Sequence, residues 1–307
     1  MSILSYLNEN YPIRRTDAQK KAFCDFVTER YGARVEETAD GKNKNLVIGD
    51  PTRARTVCVA HYDTPARALL PNLMLPRNPV LFYAYQFLIV GILLATSFAV
   101  GLLAGTLTQQ ANASLIGFLL TYYFGFYLML FAFTNKHNAN DNTSGVAAVF
   151  ALMEKLPAEQ RSKAAFILWD NEEKGMLGSK AFAKEHPKLG HLALVVNLDC
   201  VGLGENIIMV VNKLARKLPA VDTLEKAMQN TSGRAFQMFR SVSWLLNSDH
   251  KSFKCGVMVC ACRKAKVLGY YTPYIHTGKD TVIDGENIPY LAEGLSAFVA
   301  ALPEENA

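Results

Sequence analysis

The apolar positions of this chain fall into three patterns, and each predicts its own elements. The first is helical spacing. Ala22, Phe23, Phe26 and Val27 form one stripe behind Thr16-Asp17-Ala18-Gln19, which has capping-box spacing, and the stripe ends near Gly32. This predicts a helix over 17–31. Further helices are expected after Thr143, where Val146, Val149, Phe150 and Met153 share a face and Thr143 or Ser144 can cap, and at 175–184, 221–230 and 286–301. The second pattern is the short apolar run bounded by turn residues. It predicts strands at 34–38 and 45–48 around an Asp40-Gly41 turn, and at 56–60, 163–169, 192–198, 207–211, 236–240 and 256–261. Strands alternating with helices predict an α/β fold, a three-layer sandwich around a central, mostly parallel sheet.

The third pattern is a long interval without charge. Between Arg77 and Lys136 no residue is charged, and two apolar blocks, 80–103 and 115–133, flank a more polar, uncharged connecting loop at 105–114. At about 1.5 Å per residue the blocks reach roughly 36 and 28 Å, enough to cross a hydrocarbon core. They predict a transmembrane helical hairpin, 77–135, inserted into a folded domain made of 1–76 and 136–307. A buried core hairpin or an apolar lid is the alternative, but a soluble domain of this size hardly needs two such helices without one charge. Both ends of a hairpin return to the same side of the bilayer. Arg77 and Lys136 flank those ends, so the positive-inside rule predicts an integral membrane protein whose folded domain faces the cytoplasm.

Composition fits that picture. Half the residues are hydrophobic and only 19% are charged, low for a soluble protein but expected with a membrane segment. The net charge of +5 is mild and its Lys and Arg are dispersed, so no nucleic-acid partner is indicated. Cys24, Cys58, Cys200, Cys255, Cys260 and Cys262 contain no Cys-x-x-Cys pair, which favours free thiols in a reducing compartment. The N-terminal stretch lacks the apolar core of a secretory signal.

The residues able to do chemistry cluster at predicted strand ends. The strand at 56–60 delivers His61-Tyr62-Asp63. A carboxylate two residues from a histidine is the arrangement that fixes a metal-binding imidazole, and equally an ordinary His–Asp hydrogen bond at a strand end. Asp141, just before a helix, suits a metal ligand and a plain cap alike. Glu172 and Glu173 must point in different directions, as a site needs if one binds metal and its neighbour moves protons. Asp199 ends another strand, and His276 lies ahead of the last helix. Sites in such folds gather at the carboxyl ends of strands. Two histidines and three carboxylates beyond a base exceed the needs of one zinc, and suit two metals about 3.5–4 Å apart with a shared carboxylate.

The motifs His61-Tyr62-Asp63, Asn140-Asp141-Asn142-Thr143-Ser144-Gly145, Glu172-Glu173-Lys174-Gly175, Asn197-Leu198-Asp199, Ser248-Asp249-His250 and His276-Thr277-Gly278-Lys279-Asp280 resemble, in order, those of the M28 family of co-catalytic zinc aminopeptidases. They cover the chain outside the hairpin. The resemblance implies a zinc-exopeptidase-like fold and a peptide substrate with a free N-terminus. It also implies two divalent metal ions, zinc with manganese or cobalt as alternatives. One ion would be held by His61 and Asp199, the other by Glu173 and His276, with Asp141 bridging; Glu172 would be the general base and Asp63 would orient His61. The hairpin departs from the family, whose secreted members lack it. Ile275 stands where an aromatic phenol sometimes steadies the oxyanion, with Tyr274 or Tyr271 as substitutes. Asp249 and His250 are read as lying beside the ligands or facing substrate. Two other functions share the fold: a glutaminyl-cyclase-like acyl transferase, which uses one metal, and a non-catalytic membrane receptor, which lacks ligands or base. The complete ligand set argues against both.

Overall fold

The computed structural model describes residues 1–70, 72–189, 193–240 and 246–303. Two helices open the chain, α1 (Ile3–Asn10) and α2 (Asp17–Tyr31), followed by strands β1 (Arg34–Glu37), β2 (Lys44–Ile48) and β3 (Thr56–His61). Two long helices come next, α3 (Pro79–Thr108) and α4 (Ala111–Leu130). Then follow α5 (Gly145–Lys155), β4 (Ala164–Trp169), α6 (Leu177–Glu185), β5 (Leu194–Leu198), β6 (Asn206–Val211), α7 (Pro219–Asn230), β7 (Ala235–Phe239), β8 (Gly256–Ala265), β9 (Gly269–Tyr271) and α8 (Asn287–Ala301). The expected strand at 192–198 begins at Leu192, which lies outside the described residues.

The sheet runs β1-β2-β4-β3-β5-β8-β6-β7, with β9 paired to β8. Its centre, β4-β3-β5-β8, is parallel, and the antiparallel pairs β1–β2, β2–β4, β8–β6 and β8–β9 lie to either side. Every residue of β3, β4 and β5 is buried. A strand covered on both faces reads as a continuous apolar run, which is why these three were visible in the sequence. Alternate residues feed opposite cores. Cys58 and Ala60 meet α1, α2, α5, α7 and α8 on one face, while Val57 and Val59 meet Trp169, Phe182 of α6 and Phe253 on the other. The result is the three-layer α/β sandwich the sequence predicts.

At the start of α2, Gln19 N–H donates to Thr16 Oγ1 at 3.3 Å and Thr16 N–H to Gln19 Oε1 at 3.0 Å, the reciprocal cap the spacing predicts. The start of α5 departs from expectation. Neither Thr143 nor Ser144 caps it; Asn142 Oδ1 accepts Gly145 N–H at 3.0 Å. Ser144 is turned instead to donate to the Asn140 carbonyl at 2.7 Å.

A second correction concerns the polar stretch 105–114. It is not a loop: α3 continues to Thr108 and α4 begins at Ala111, leaving only Gln109 and Gln110 between them. Gln109 takes a left-handed conformation (φ 59°) that turns the chain sharply. Close packing favours this over the local polarity. A Cβ on Gly101 would lie 2.6 Å from the Ser114 carbonyl, so the helices meet through small residues. Their large side chains point outward instead: Phe87 is 73% exposed, Phe98 60% and Phe124 62%. Both helices are long and apolar enough to cross a membrane. Their roots are tied to the sandwich. Arg15 donates to the carbonyls of Phe131 and Phe133, Ala66 bridges Thr134, and the Asn78 amide donates to the Val267 and Leu268 carbonyls.

This seam predicts that Gly101→Leu destabilises the hairpin by about 1–3 kcal/mol, as overpacking does elsewhere. A melt of the purified protein in lipid nanodiscs followed by circular dichroism should show a lower midpoint than Ala95→Leu, a change elsewhere on α3. Equal midpoints would refute the close helix–helix contact.

Candidate metal centre

Three neighbouring strand ends bring the chemistry together. His61 is the last residue of β3 and pairs in register with Trp169, the last of β4, while Asp199 follows directly after β5. The loop after β4 adds Glu172 and Glu173. Asp141 comes from the turn before α5, which packs on β3 and β5, and His276 from the segment after β9. All seven residues singled out in the sequence, His61, Asp63, Asp141, Glu172, Glu173, Asp199 and His276, meet at this carboxyl edge.

Asp141 lies between the two histidines. Its Oδ1 is 3.4 Å from His61 Nε2 and its Oδ2 is 3.0 Å from His276 Nε2. Asp199 stands on the His61 side at 3.6 Å, and Glu173 on the His276 side at 3.5 Å. Three triads result: His61–Asp141–Asp199, Asp141–Glu173–His276 and His61–Glu172–Glu173. Each offers ligand atoms within 4.8 Å of one another.

The surrounding chain explains the precision. Asn140 and Asn142 bolt the Asp141 turn to the segment after β5. Asn140 Oδ1 accepts from Gly202 and Leu203 N–H at 2.7 and 3.1 Å, and Asn142 donates to the Leu198 carbonyl at 2.9 Å. The Asp141–Asn142 peptide bond is cis. Only glycine fits at 145, where a Cβ would lie 2.2 Å from the Leu198 carbonyl. Asp280 completes the turn by accepting the backbone N–H groups of Asn140 and Asp141 at 2.8 and 3.0 Å. Asp63 does the same for the glutamate loop, accepting Glu172 N–H at 2.9 Å and Glu173 N–H at 3.2 Å. Ser248 Oγ donates to Asp199 Oδ2 at 2.6 Å.

His61 Nδ1 lies 3.1 Å from the Asp63 carbonyl and 3.5 Å from its carboxylate. A carbonyl can only accept, so Nδ1 carries a proton, and Nε2 faces the carboxylates of Asp141 and Asp199. Arg14, fully buried, donates to the Tyr62 carbonyl, to the Tyr11 carbonyl at 2.5 Å and to Thr143 Oγ1 at 3.1 Å. Burial pulls its pKa down to about 10 against the pull of Asp63 and Asp141, leaving it a cation at neutral pH. Lys20 pairs with Asp170 at 2.6 Å at the foot of the glutamate loop.

Charge is crowded here. Burial pushes the Glu172 carboxyl well above the usual range, against the pull of His61, and burial with Asp141 beside it does the same to Glu173. Burial works to raise Asp141 too, but hydrogen bonds from His276 and His61 hold it low. Burial works to lower His61, and the surrounding aspartates Asp141, Asp199 and Asp63 outweigh it. Glu173 Oε1 is buried with no hydrogen-bond partner. Nitrogen and oxygen donors, excess negative charge and an unpartnered carboxylate oxygen together fit a divalent cation.

The sequence singled out some neighbours that play other parts. His250 is buried, belongs to none of the triads, and is pushed down to about 3 by burial. Asp249 is buried with both oxygens unpartnered and is raised to about 7 by burial. Tyr274 is exposed and lines a separate cavity with Arg67 and Lys279. Arg14, Lys20 and Asp280 were missed as parts of this framework; of these only Asp280 stood inside a recognised motif.

A model of peptidase family M28 matches residues 129–294, more than half of the chain. The chain belongs to peptidase family M28. The match begins inside α4, so His61 and Asp63 join the site through the fold. Among solved structures, this M28 peptidase is similar to a Zn-dependent exopeptidase from Parabacteroides distasonis (17% identity, TM-score 0.57, covering 98% of this chain and 97% of that one). It is also similar to the LapA aminopeptidase of Legionella pneumophila (15%, 0.55, 97% and 68%) and to Porphyromonas gingivalis glutaminyl cyclase (14%, 0.56, 97% and 96%). At these identities the likeness concerns the fold. No curated protein sequence matches the chain.

A cation bound only by the native state raises stability by mass action, about 2.7 kcal/mol at a free concentration 100 times the Kd. Adding zinc, manganese or cobalt to chelator-treated protein should therefore raise the melting midpoint by several degrees, and Asp141→Ala should abolish the shift. A wild-type midpoint indifferent to all three ions would refute a metal centre.

Proposed function

We propose that this M28 peptidase is a membrane-anchored aminopeptidase that works with two divalent ions, zinc with manganese or cobalt as alternatives. One observation carries the reading: the single carboxylate of Asp141 presents one oxygen to each of two histidines. That geometry suits a bridge. His61 and Asp199 would hold one ion, Glu173 and His276 the other, and Asp141 both. Bound there, such ions polarise a scissile carbonyl and make a water acidic enough to attack it at neutral pH.

The chain's own groups do the rest. Glu173 takes part in two of the triads and Glu172 in one, which supports Glu173 as a ligand and Glu172 as the base. Burial raises the proton affinity of Glu172, so its carboxylate can take a proton from the attacking water and pass it to the leaving amine. Asp63 holds the glutamate loop by two backbone N–H groups and keeps the His61 ring in place. An ion held by Glu173 and His276 would also offer a place for the free α-amine of a substrate, which favours a peptide with a free N-terminus.

The catalytic domain, 1–76 and 136–307, is then interrupted by a transmembrane hairpin at 77–135. Arg77 and Lys136 at its roots favour a cytoplasmic catalytic domain.

Two experiments test this. Glu172→Gln should keep near-normal metal content yet lose most turnover of amino-acid amides, about 10²-fold or more, because an amide cannot take the proton. Glu173→Ala should lose metal as well. Equal metal loss by elemental analysis would reverse the two roles, and release of ammonia without cleavage from a peptide beginning with glutamine would favour acyl transfer. For topology, a single cysteine at Gln109, with the native cysteines removed, should react with an impermeant thiol reagent on intact cells. One at Lys184 should react only after lysis; the opposite pattern would invert the orientation.

A further inference from the structure

The two long helices do more than could be expected of an anchor. A cavity of about 300 Å³ lies between them and the metal centre. Glu173 and His276 stand on one wall, and Tyr85, Gln86, Ile89, Met129 and Phe131 form the facing one. The segment Ala66–Leu70 frames it, fixed by Ala68 N–H donating to the His276 carbonyl at 2.8 Å. The hairpin thus supplies one wall of the metal centre's surroundings.

The register of the hairpin explains where the cavity falls. A Cβ on Gly125 would lie 2.6 Å from Leu93 Cδ1, so antiparallel pairing sets Met129 level with Ile89. Helix α3 has 30 residues and α4 has 20, so α3 overhangs by about ten residues, or roughly 15 Å, on the side of the catalytic domain. Helix α4 alone, at roughly 30 Å, matches a hydrocarbon core. In a bilayer spanned by α4, the level of Met129 and Ile89 would be that of the surface, and the cavity would open there.

We infer that the hairpin forms the side-chain pocket of the enzyme, selecting peptides whose N-terminal residue is large and apolar and meeting them at the membrane surface. This rests on the aminopeptidase reading. The free amine of such a peptide would meet the acidic wall while its first side chain rests against Ile89, Met129 and Phe131. A cavity of about 300 Å³, at the small end of ligand pockets, suits one side chain. Tyr85 and Gln86 supply the polar groups on the helical wall. A residue with a small or charged side chain would leave that wall unfilled or bury a charge against it.

The test uses the full chain, metal-loaded, in lipid nanodiscs. The kcat/KM ratio of leucine amide to glycine amide should fall at least about tenfold in Ile89→Trp, which fills the cavity. In Ile89→Ala, which enlarges it, preference should move from leucine amide toward phenylalanine amide by several-fold. Ratios within twofold of wild type in both variants would overturn the inference. Should wild type cleave none of these amides or any peptide, the aminopeptidase reading fails instead, and calorimetric binding decides the pocket. Leucine amide binding at least tenfold more tightly than glycine amide, with the difference lost in Ile89→Trp, would sustain it; equal binding would overturn it.

Discussion

Negative charge packed against negative charge is the constraint on which the rest of this structure depends. Asp63, Asp141, Asp199, Asp249 and Asp280 are all buried, and Glu172 and Glu173 are half-buried beside them. An uncompensated buried charge costs several kcal/mol, so each carboxylate needs a reason to stay. The fold divides five of them into two kinds. Asp63 and Asp280 each accept two backbone N–H groups and thereby hold the loops that carry Glu172, Glu173 and Asp141. Asp141, Asp199 and Glu173 instead turn oxygens toward the histidines. Residue type is the same in both groups; what differs is whether the backbone or an outside cation satisfies them.

This division also decides what the sequence could reveal. His61, Glu172, Glu173 and Asp199 stand at or just after the ends of strands whose buried, apolar runs are local signals, so their shared edge could be inferred from the alternation of strands and helices. Asp280, Arg14 and Ser248 act on partners 139, 129 and 49 residues away, and no local pattern announces a bond of that span. The start of α5 shows the same limit at short range. Thr143 and Ser144 are good caps by type, but Ser144 accepts Val201 N–H at 3.1 Å and Thr143 receives Arg14, so tertiary partners claimed their hydroxyls. Asn142 caps because its other contacts, to Leu198 and Cys200, already point its amide across the helix start. In the hairpin the polar run around Gln109 looked like a loop, and close packing at Gly101 and Gly105 kept most of it helical.

The position of the hairpin follows from topology. It is inserted between β3, which carries His61, and α5, which follows Asp141. An insertion that crossed a bilayer an odd number of times would put those residues on opposite sides, whereas α3 and α4 form a hairpin that returns. The junction lies at the carboxyl edge of the sheet, because β3 ends there. Anything inserted at that point emerges beside the metal centre, whatever its sequence. Ala66, Arg67 and Arg15 then tie the returning chain to the sandwich, which fixes the angle at which the helices leave. The charge-free interval has a chemical consequence too. Every ionisable group of the centre lies before Arg77 or after Lys136, so the hairpin adds apolar surface and hydrogen-bonding groups but no new charge to an already crowded cluster. Residues on the helical wall can therefore change in size and shape without disturbing the balance among Asp141, Glu173 and the two histidines.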